Sequence, residues 1–148
     1  MTKLCLEQFF PYCSVSLAER ISASLSKIYA KQFGIGNAEW RVLATLGEFA
    51  QLQARDIVGH TNMDKVRVSR AVKLLRDKGF VAAQVLADDH RGARLTLTDS
   101  GSELYHRIVP DALAWEQSLL EPLSKQERKA LEAIYAKLGR RLSEQTEA

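Results

Sequence analysis

The stretch between residues 64 and 98 constrains this chain most, because its hydrophobic pattern changes period part-way along. Up to Leu75, apolar residues recur every three to four positions, which predicts an amphipathic helix. One side of that helix carries Val68, Ala71, Val72 and Leu75, and the other carries Lys65, Ser69, Arg70, Lys73 and Arg76. After Phe80 the pattern alternates instead, most clearly at Leu95 and Leu97, which predicts two short strands joined by a polar turn.

Helix-termination signals divide the residues before Asp64 into three further helices. The spacing predicts a long helix over Ser14–Lys31, followed by a glycine turn at 34–36. It predicts a second helix from its cap Asn37 to Gly47, and a short third helix over Ala54–Val58. A short turn joins the third helix to the basic one, for which Asp64 is a good N-cap. The pair therefore has the arrangement of a helix-turn-helix.

Two more helices are predicted after the strands. The first opens at Thr98, with capping-box spacing between Ser100 and Glu103, and it carries Pro110 as an expected kink. The second opens with a capping box, Ser124 to Glu127, after the break at Pro122. The predicted fold class is mainly α with a small β-hairpin wing.

Positive charge is concentrated in the segment that holds the basic helix and the hairpin. Residues 64–94 contain eight Lys or Arg and four Asp or Glu, which gives +4, whereas the whole chain carries +3. Such a basic segment on a near-neutral body indicates a nucleic-acid phosphate backbone as partner. The second helix of a helix-turn-helix enters the major groove, where Arg and Lys pair with guanine. The turn of a hairpin can bring arginine to a minor groove.

We therefore predict a double-stranded DNA interface made of one helix face and the hairpin. The predicted contacts are Lys65, Arg67, Ser69, Arg70 and Lys73 on the helix, with Arg91 and Arg94 in the hairpin. A solvated helix face is the alternative for the charge pattern alone. A second alternative is a winged helix that binds protein, which the exposed charge disfavours because interface cores are usually depleted of charge.

Composition and motifs weigh against other classes of protein. Hydrophobic residues make up 46% and charged residues 26%, as in ordinary soluble domains, and no run approaches the roughly 20 apolar residues of a membrane span. We therefore expect a cytoplasmic protein without a membrane partner. Its histidines are scattered, and H-E-x-x-H, C-x-x-C and glycine-rich phosphate loops are missing, so we expect neither an enzyme nor a metal or cofactor site.

The same segment resembles the MarR family of bacterial regulators. The resemblance extends from about Pro11 to Leu138. It is carried by Asp64-Lys65, Ser69–Val72, Lys78–Val81 and the pattern D-x-R-x-x-x-L-x-L-T-x-x-G that begins at Asp89. It implies a homodimer, with dimerisation helices at about residues 8–32 and 100–142 and a winged helix-turn-helix lobe at about 37–98. The two predicted C-terminal helices carry apolar stripes that fit either the dimer interface or the core of one chain. These stripes consist of Leu104, Ile108, Leu131, Ile134 and Leu138. Asp89 is expected to pair with an arginine and to shape the wing.

The resemblance also implies a function. A two-fold dimer that places its recognition helices about 34 Å apart would bind a pseudo-palindromic operator, most simply as a repressor. A small effector would bind between the lobe and the dimerisation helices and release the DNA. Candidate effector-binding residues are Tyr12, Ser16, Arg20, Trp40 and Arg41. Segments around Phe9 and Phe33 look similar to a branch that responds to aromatic acids or their coenzyme A thioesters.

Two cysteines leave a second mode of regulation open. Cys5 and Cys13 are both near the N-terminus, and the simplest interpretation is a pair of reduced thiols. The alternative is a redox switch in the same fold, in which a peroxide oxidises Cys13 or Cys5 and DNA is released.

Overall fold

A computed structural model describes residues 2–85 and 92–147. Its elements, in chain order, are a 3₁₀ turn (Leu6–Gln8), α1 (Phe10–Phe33), α2 (Asn37–Phe49), β1 (Gln51–Gln53), α3 (Ala54–Thr61), α4 (Lys65–Asp77), β2 (Val81–Gln84), β3 (Arg94–Leu97), α5 (Asp99–Leu120) and α6 (Lys125–Glu147). The predicted class, mainly α with a small β wing, is confirmed.

The wing belongs to a three-stranded antiparallel sheet with the strand order β1-β3-β2. The predicted hairpin is the β2–β3 pair, in register from Val81 opposite Leu97 to Gln84 opposite Arg94. The third strand, β1, was not predicted, and it pairs Leu52 with Leu95. Since β1 directly precedes α3, the helix-turn-helix is connected to the wing at both ends.

By its contacts the chain divides into two compact units, Met1–Ala112 and Leu113–Ala148. The core of the first unit forms where α2, α3 and α4 meet the sheet. The predicted apolar side of α4 is buried there, with Val68 and Leu75 fully inaccessible to solvent. Each such side chain contributes about 1.5–3 kcal/mol on burial. Burial of this face turns the basic face of α4 outward.

Several helix ends differ from the sequence-based prediction. Helix α1 begins four residues earlier than predicted, at Phe10, and Gly34 ends it with φ +66°. Gly36, rather than Asn37, caps α2, and its N–H donates to Glu39 Oε2 at 3.1 Å. Gly47 lies inside α2 instead of closing it, and its missing side chain leaves room for the ring of Tyr105. A Cβ at Gly47 would come within 2.6 Å of that ring.

The two ends of α4 are fixed by different means. Asp64 Oδ1 accepts from Arg67 N at 2.8 Å, so the predicted N-cap is confirmed. Beyond the other end, Gly79 adopts φ +77° and its carbonyl accepts from Thr98 Oγ1 at 2.6 Å. Thr98 in turn caps α5 by accepting from Gly101 N, where Ser100 had been predicted to be the cap.

The second unit contains the end of α5 and the whole of α6. Its predicted capping box is confirmed, with Ser124 N donating to Glu127 Oε2 at 2.7 Å and Glu127 N donating to Ser124 Oγ at 3.2 Å. None of its described residues is buried. In the part of the chain that the structure describes, no helix has both the length and the apolar character that a bilayer span requires.

Candidate nucleic-acid interface

The basic face of α4 is exposed along its whole length. The predicted helix contacts, Lys65, Arg67, Ser69, Arg70 and Lys73, are all exposed, while the opposite face is buried in the core. The helix has 13 residues and so extends about 20 Å, long enough to lie across a groove of DNA. The Asp64 cap holds the first turn in place, and this turn carries Lys65 and Arg67.

The charged groups of this face have few partners within the protein. Within residues 2–85 and 92–147, the side chains of Lys65, Arg67 and Arg70 make no hydrogen bond or ion pair. Lys73 pairs with Asp77 at 2.8 Å, but both groups are exposed. An exposed pair of this kind contributes at most about 1 kcal/mol. Lys73 can therefore exchange Asp77 for a DNA phosphate at little cost.

A groove of about 500 Å³ runs beside α4, between α3 and the sheet. Its floor is apolar, from Val58, Val68, Val72 and Leu95. Its rim carries four cations: Arg55, Lys65, Lys73 and Arg76. Sequence reasoning left Arg55 and Arg76 out of the predicted site. Arg76 continues the Lys65 and Lys73 side of α4 and was recognisable by its spacing, whereas only the packing of α3 on α4 brings in Arg55.

The wing contributes one described arginine. Arg94 is exposed at the first position of β3, and its Nη1 donates to Gln51 Oε1 of β1 at 3.4 Å. Arg91 and Asp89 lie outside the described residues. The structure therefore places Arg94 on the same lobe as α4, next to the turn of the hairpin.

The candidate effector residues are divided between two helices, with Tyr12, Ser16 and Arg20 on α1 and Trp40 and Arg41 on α2. Tyr12 and Arg20 are exposed on α1, and Ser16 is half-buried. Trp40 stacks between Tyr29 of α1 and Tyr105 of α5, at centroid distances of 5.5 and 6.4 Å. This stack gives Trp40 a packing role among three helices.

Arg41 is the candidate that lines a groove. It is half-buried, and its Nη2 donates to Ser22 Oγ of α1 at 3.4 Å. The groove measures about 500 Å³ and lies between α1, α2 and the first turn of α4, where Arg67 completes it. Sequence reasoning missed Arg67 as a wall of this groove because Arg41 and Arg67 belong to different helices.

One titrating group lies behind this groove. The hydroxyl of Tyr29 donates to Asn37 Oδ1. Burial raises the pKa of Tyr29, and the nearby charge of Arg41 lowers it in part. The hydroxyl therefore stays protonated at neutral pH and remains a hydrogen-bond donor between α1 and α2.

In the described part of the chain, the two cysteines form no disulfide. Cys5 and Cys13 are exposed free thiols, and Cys13 Sγ donates to the carbonyl of Glu7 at 3.1 Å. Within the described residues, no cluster of three or more His, Cys, Asp or Glu side chains could hold a metal ion.

Comparison with known proteins identifies the architecture. The MarR family model matches residues 33–92, from the end of α1 into the wing. PecS of Dickeya dadantii, an HTH-type transcriptional regulator, is 25% identical over 125 residues, which cover 82% of this chain and 75% of PecS.

Two solved structures share the fold over almost all of both chains. A MarR/EmrR family regulator from Acinetobacter sp. ADP1 superposes with a TM-score of 0.88 at 28% identity, covering 95% of this chain and 99% of the other. BpsR of Bordetella bronchiseptica, whose DNA binding is regulated by 6-hydroxynicotinic acid, superposes with a TM-score of 0.83 at 22% identity, covering 93% and 98%. The matched family model and these relatives are those of DNA-binding transcriptional regulators, not of enzymes, and the chain has the winged helix-turn-helix fold of the MarR family.

Proposed function

We propose that this protein is a repressor that binds a pseudo-palindromic operator as a homodimer and is released by a small effector. The observation that carries the proposal is the exposed basic face of α4, on which Lys65, Arg67 and Arg70 have no partner among the described residues. The opposite, apolar face packs on the core. On the operator, α4 lies in the major groove and the β2–β3 hairpin reaches the minor groove.

Base and phosphate contacts are divided along α4. The helix enters the groove with its first turns, so Lys65, Arg67, Ser69 and Arg70 reach the base edges and the nearest phosphates. Lys73 lies two turns further along and contacts a phosphate. Arg94 and Arg91 serve the wing, where the narrow minor groove attracts arginine.

Dimerisation rests on apolar side chains that one chain leaves exposed. Leu104 and Ile108, two members of the predicted stripes, are buried in the first unit and are not available to a partner. Ile134 and Leu138 of α6 are 51% and 39% exposed, and α1 exposes Leu17. The proposed interface therefore combines residues 8–32 with the later part of residues 100–142, and the winged lobe stays at about 37–98.

An effector that carries negative charge suits the groove beside Arg41. The relative BpsR responds to an acid, and a guanidinium binds a carboxylate with two parallel hydrogen bonds. Of the candidate residues, Arg41 has the geometry for this role. Tyr12, Ser16 and Arg20 remain candidates on α1, where a second copy of the chain would complete their surroundings, and Trp40 supports the groove from behind.

Fluorescence anisotropy tests the proposal directly. A labelled DNA fragment from upstream of this protein's own gene is titrated with protein over a salt series. We expect tight, sequence-dependent binding with a steep negative salt dependence. Arg70→Ala is expected to weaken binding by about 1–3 kcal/mol. The matched control is Lys129→Ala on α6, which is exposed and lies in the second unit.

Equal affinity for a scrambled fragment would contradict the operator proposal. Unchanged affinity of Arg70→Ala would remove that residue from the interface. If no DNA were bound at all, the basic face would need another partner. A winged helix that binds protein would then be the favoured interpretation.

A further inference from the structure

An apolar side chain interrupts the exposed basic face of α4. Val66 is the second residue of this helix, between Lys65 and Arg67, and it is 58% exposed. A β-branched residue has a lower helix propensity than the lysines and arginines around it, and an exposed one contributes little to the core. Neither the stability of the helix nor the packing of the core therefore explains a valine at this position.

Val66 lies at the centre of the outward face of α4. Residues that follow each other at intervals of three or four share one side of a helix, and the side opposite the core carries Val66, Arg70, Lys73 and Asp77. All four of these residues are exposed. The first turns of a recognition helix are the part that reaches the base edges in the major groove. Val66 therefore faces the floor of that groove, one turn before Arg70.

The floor of the major groove offers one favourable partner to such a side chain. Each base pair presents hydrogen-bond donors and acceptors there, and thymine alone adds an apolar group, its C5 methyl. The isopropyl group of Val66 can neither donate nor accept a hydrogen bond. Against a polar base edge it would displace water without replacing the lost hydrogen bonds, which costs free energy. Against a methyl group, both apolar surfaces leave water, which is favourable.

We propose that Val66 selects a thymine in each half-site of the operator, by contact between its isopropyl group and the C5 methyl of that base. This inference rests on the proposed function, since it requires α4 to lie in the major groove. It divides the work of the outward face between two kinds of side chain. The cations supply affinity that depends on salt, whereas Val66 adds a base preference without charge. Loss of the Val66 contact should therefore leave the salt dependence of binding unchanged.

Replacement of thymine by deoxyuridine tests this contact, because it removes the C5 methyl and keeps every hydrogen-bonding group of the base. Each thymine of the bound upstream fragment is replaced in turn, and the affinity is measured by anisotropy over a salt series. We expect the wild-type affinity to fall by about fourfold at one thymine of a half-site and by about 15-fold when both half-sites are changed, as for one methyl group per half-site returned to water. The salt slope should not change.

Two alanine variants of α4 assign the thymine preference to one side chain. Val66→Ala is expected to bind the thymine and deoxyuridine fragments with nearly equal affinity, because the methyl group has lost its partner. The matched control is Leu74→Ala, which also shortens an exposed apolar residue, but in the third turn, and it should keep the wild-type loss. Both positions are exposed, so both variants should fold as the wild type does, which circular dichroism checks.

The outcomes distinguish this inference from the function on which it rests. If deoxyuridine weakens wild-type binding at no position, or if Val66→Ala keeps the full loss, the assignment of Val66 is wrong. Tight binding of the unmodified fragment by the wild type then still supports the proposed function. If the wild type binds the unmodified fragment no more tightly than a scrambled one, the proposed function fails, and the assignment of Val66 fails with it.

Discussion

The two compact units of this chain use the same helical pattern to different ends. In Met1–Ala112, apolar residues at helical spacing form a closed core, and Val42, Ile57 and Leu75 are fully buried. In Leu113–Ala148, the same spacing leaves Ile134 half exposed, and none of the described residues is buried. Helical periodicity therefore specifies an apolar face without specifying what covers it. Exposed stripes of this kind mark interaction surfaces, as the proposed homodimer requires.

The largest expected effect concerns the closed core. Leu75→Ala should lower the free energy of unfolding by about 2–5 kcal/mol, because it leaves a cavity among fully buried neighbours. Urea denaturation measures this loss. The matched control is Leu74→Ala, one residue away on α4 and 45% exposed, which should cost far less. Equal losses for the two variants would contradict the assignment of the buried face.

The next effect concerns the exposed stripe of the second unit. The double variant Ile134→Glu, Leu138→Glu should weaken self-association by about 100-fold or more, because each apolar side chain contributes about 1.5–3 kcal/mol when a partner covers it. Sedimentation equilibrium checks the shift from dimer to monomer, with Lys137→Gln on the same helix as control. An unchanged association constant would show that this stripe is not the dimer interface.

Removal of a helix N-cap should have a smaller effect on stability, of similar size in the two units. Asp64→Ala and Ser124→Ala each remove the N-cap of a helix, α4 in the first unit and α6 in the second. Each should cost about 1 kcal/mol in thermal denaturation, because a cap acts only on the first turn of its own helix. Asp64→Ser should restore most of the loss. A much larger cost for Asp64→Ala would mean that the cap also supports packing of α4.

The smallest effect depends on pH. Burial raises the pKa of Tyr29, so the folded state favours the protonated hydroxyl. Its contribution is present below the ordinary value of about 10 and is lost as the pH rises through the raised value of the folded state. The free energy of unfolding should therefore fall above about pH 10, and Tyr29→Phe should reduce that slope. Tyr135→Phe, at an exposed position of the second unit, is the control, and equal slopes for wild type and Tyr29→Phe would contradict the prediction.

Features that depend on neighbours close in sequence were predictable. Spacings of two to four residues predicted the buried and basic faces of α4, its Asp64 cap, the Ser124 capping box and the β2–β3 pair. Predictions of this kind failed where a distant element intervened. Gly47 is a glycine because Tyr105 of α5 packs against it, and not because α2 ends there. The strand β1 was missed because three residues are too few to show an alternating pattern.

The sequence by itself determined which helix is basic, which of its faces is buried, and that a wing follows it, because periodicity and capping are local properties of the chain. Tertiary packing decided the candidate effector groove, since Ser22, Arg41 and Arg67 come from three helices and meet only when the core forms. It also places Trp40, a candidate ligand contact, in a stack with Tyr29 and Tyr105. The physical reason is that hydrophobic burial is non-directional. A stripe of apolar residues selects a face, and only the complete set of competing surfaces decides which residues from distant helices come together.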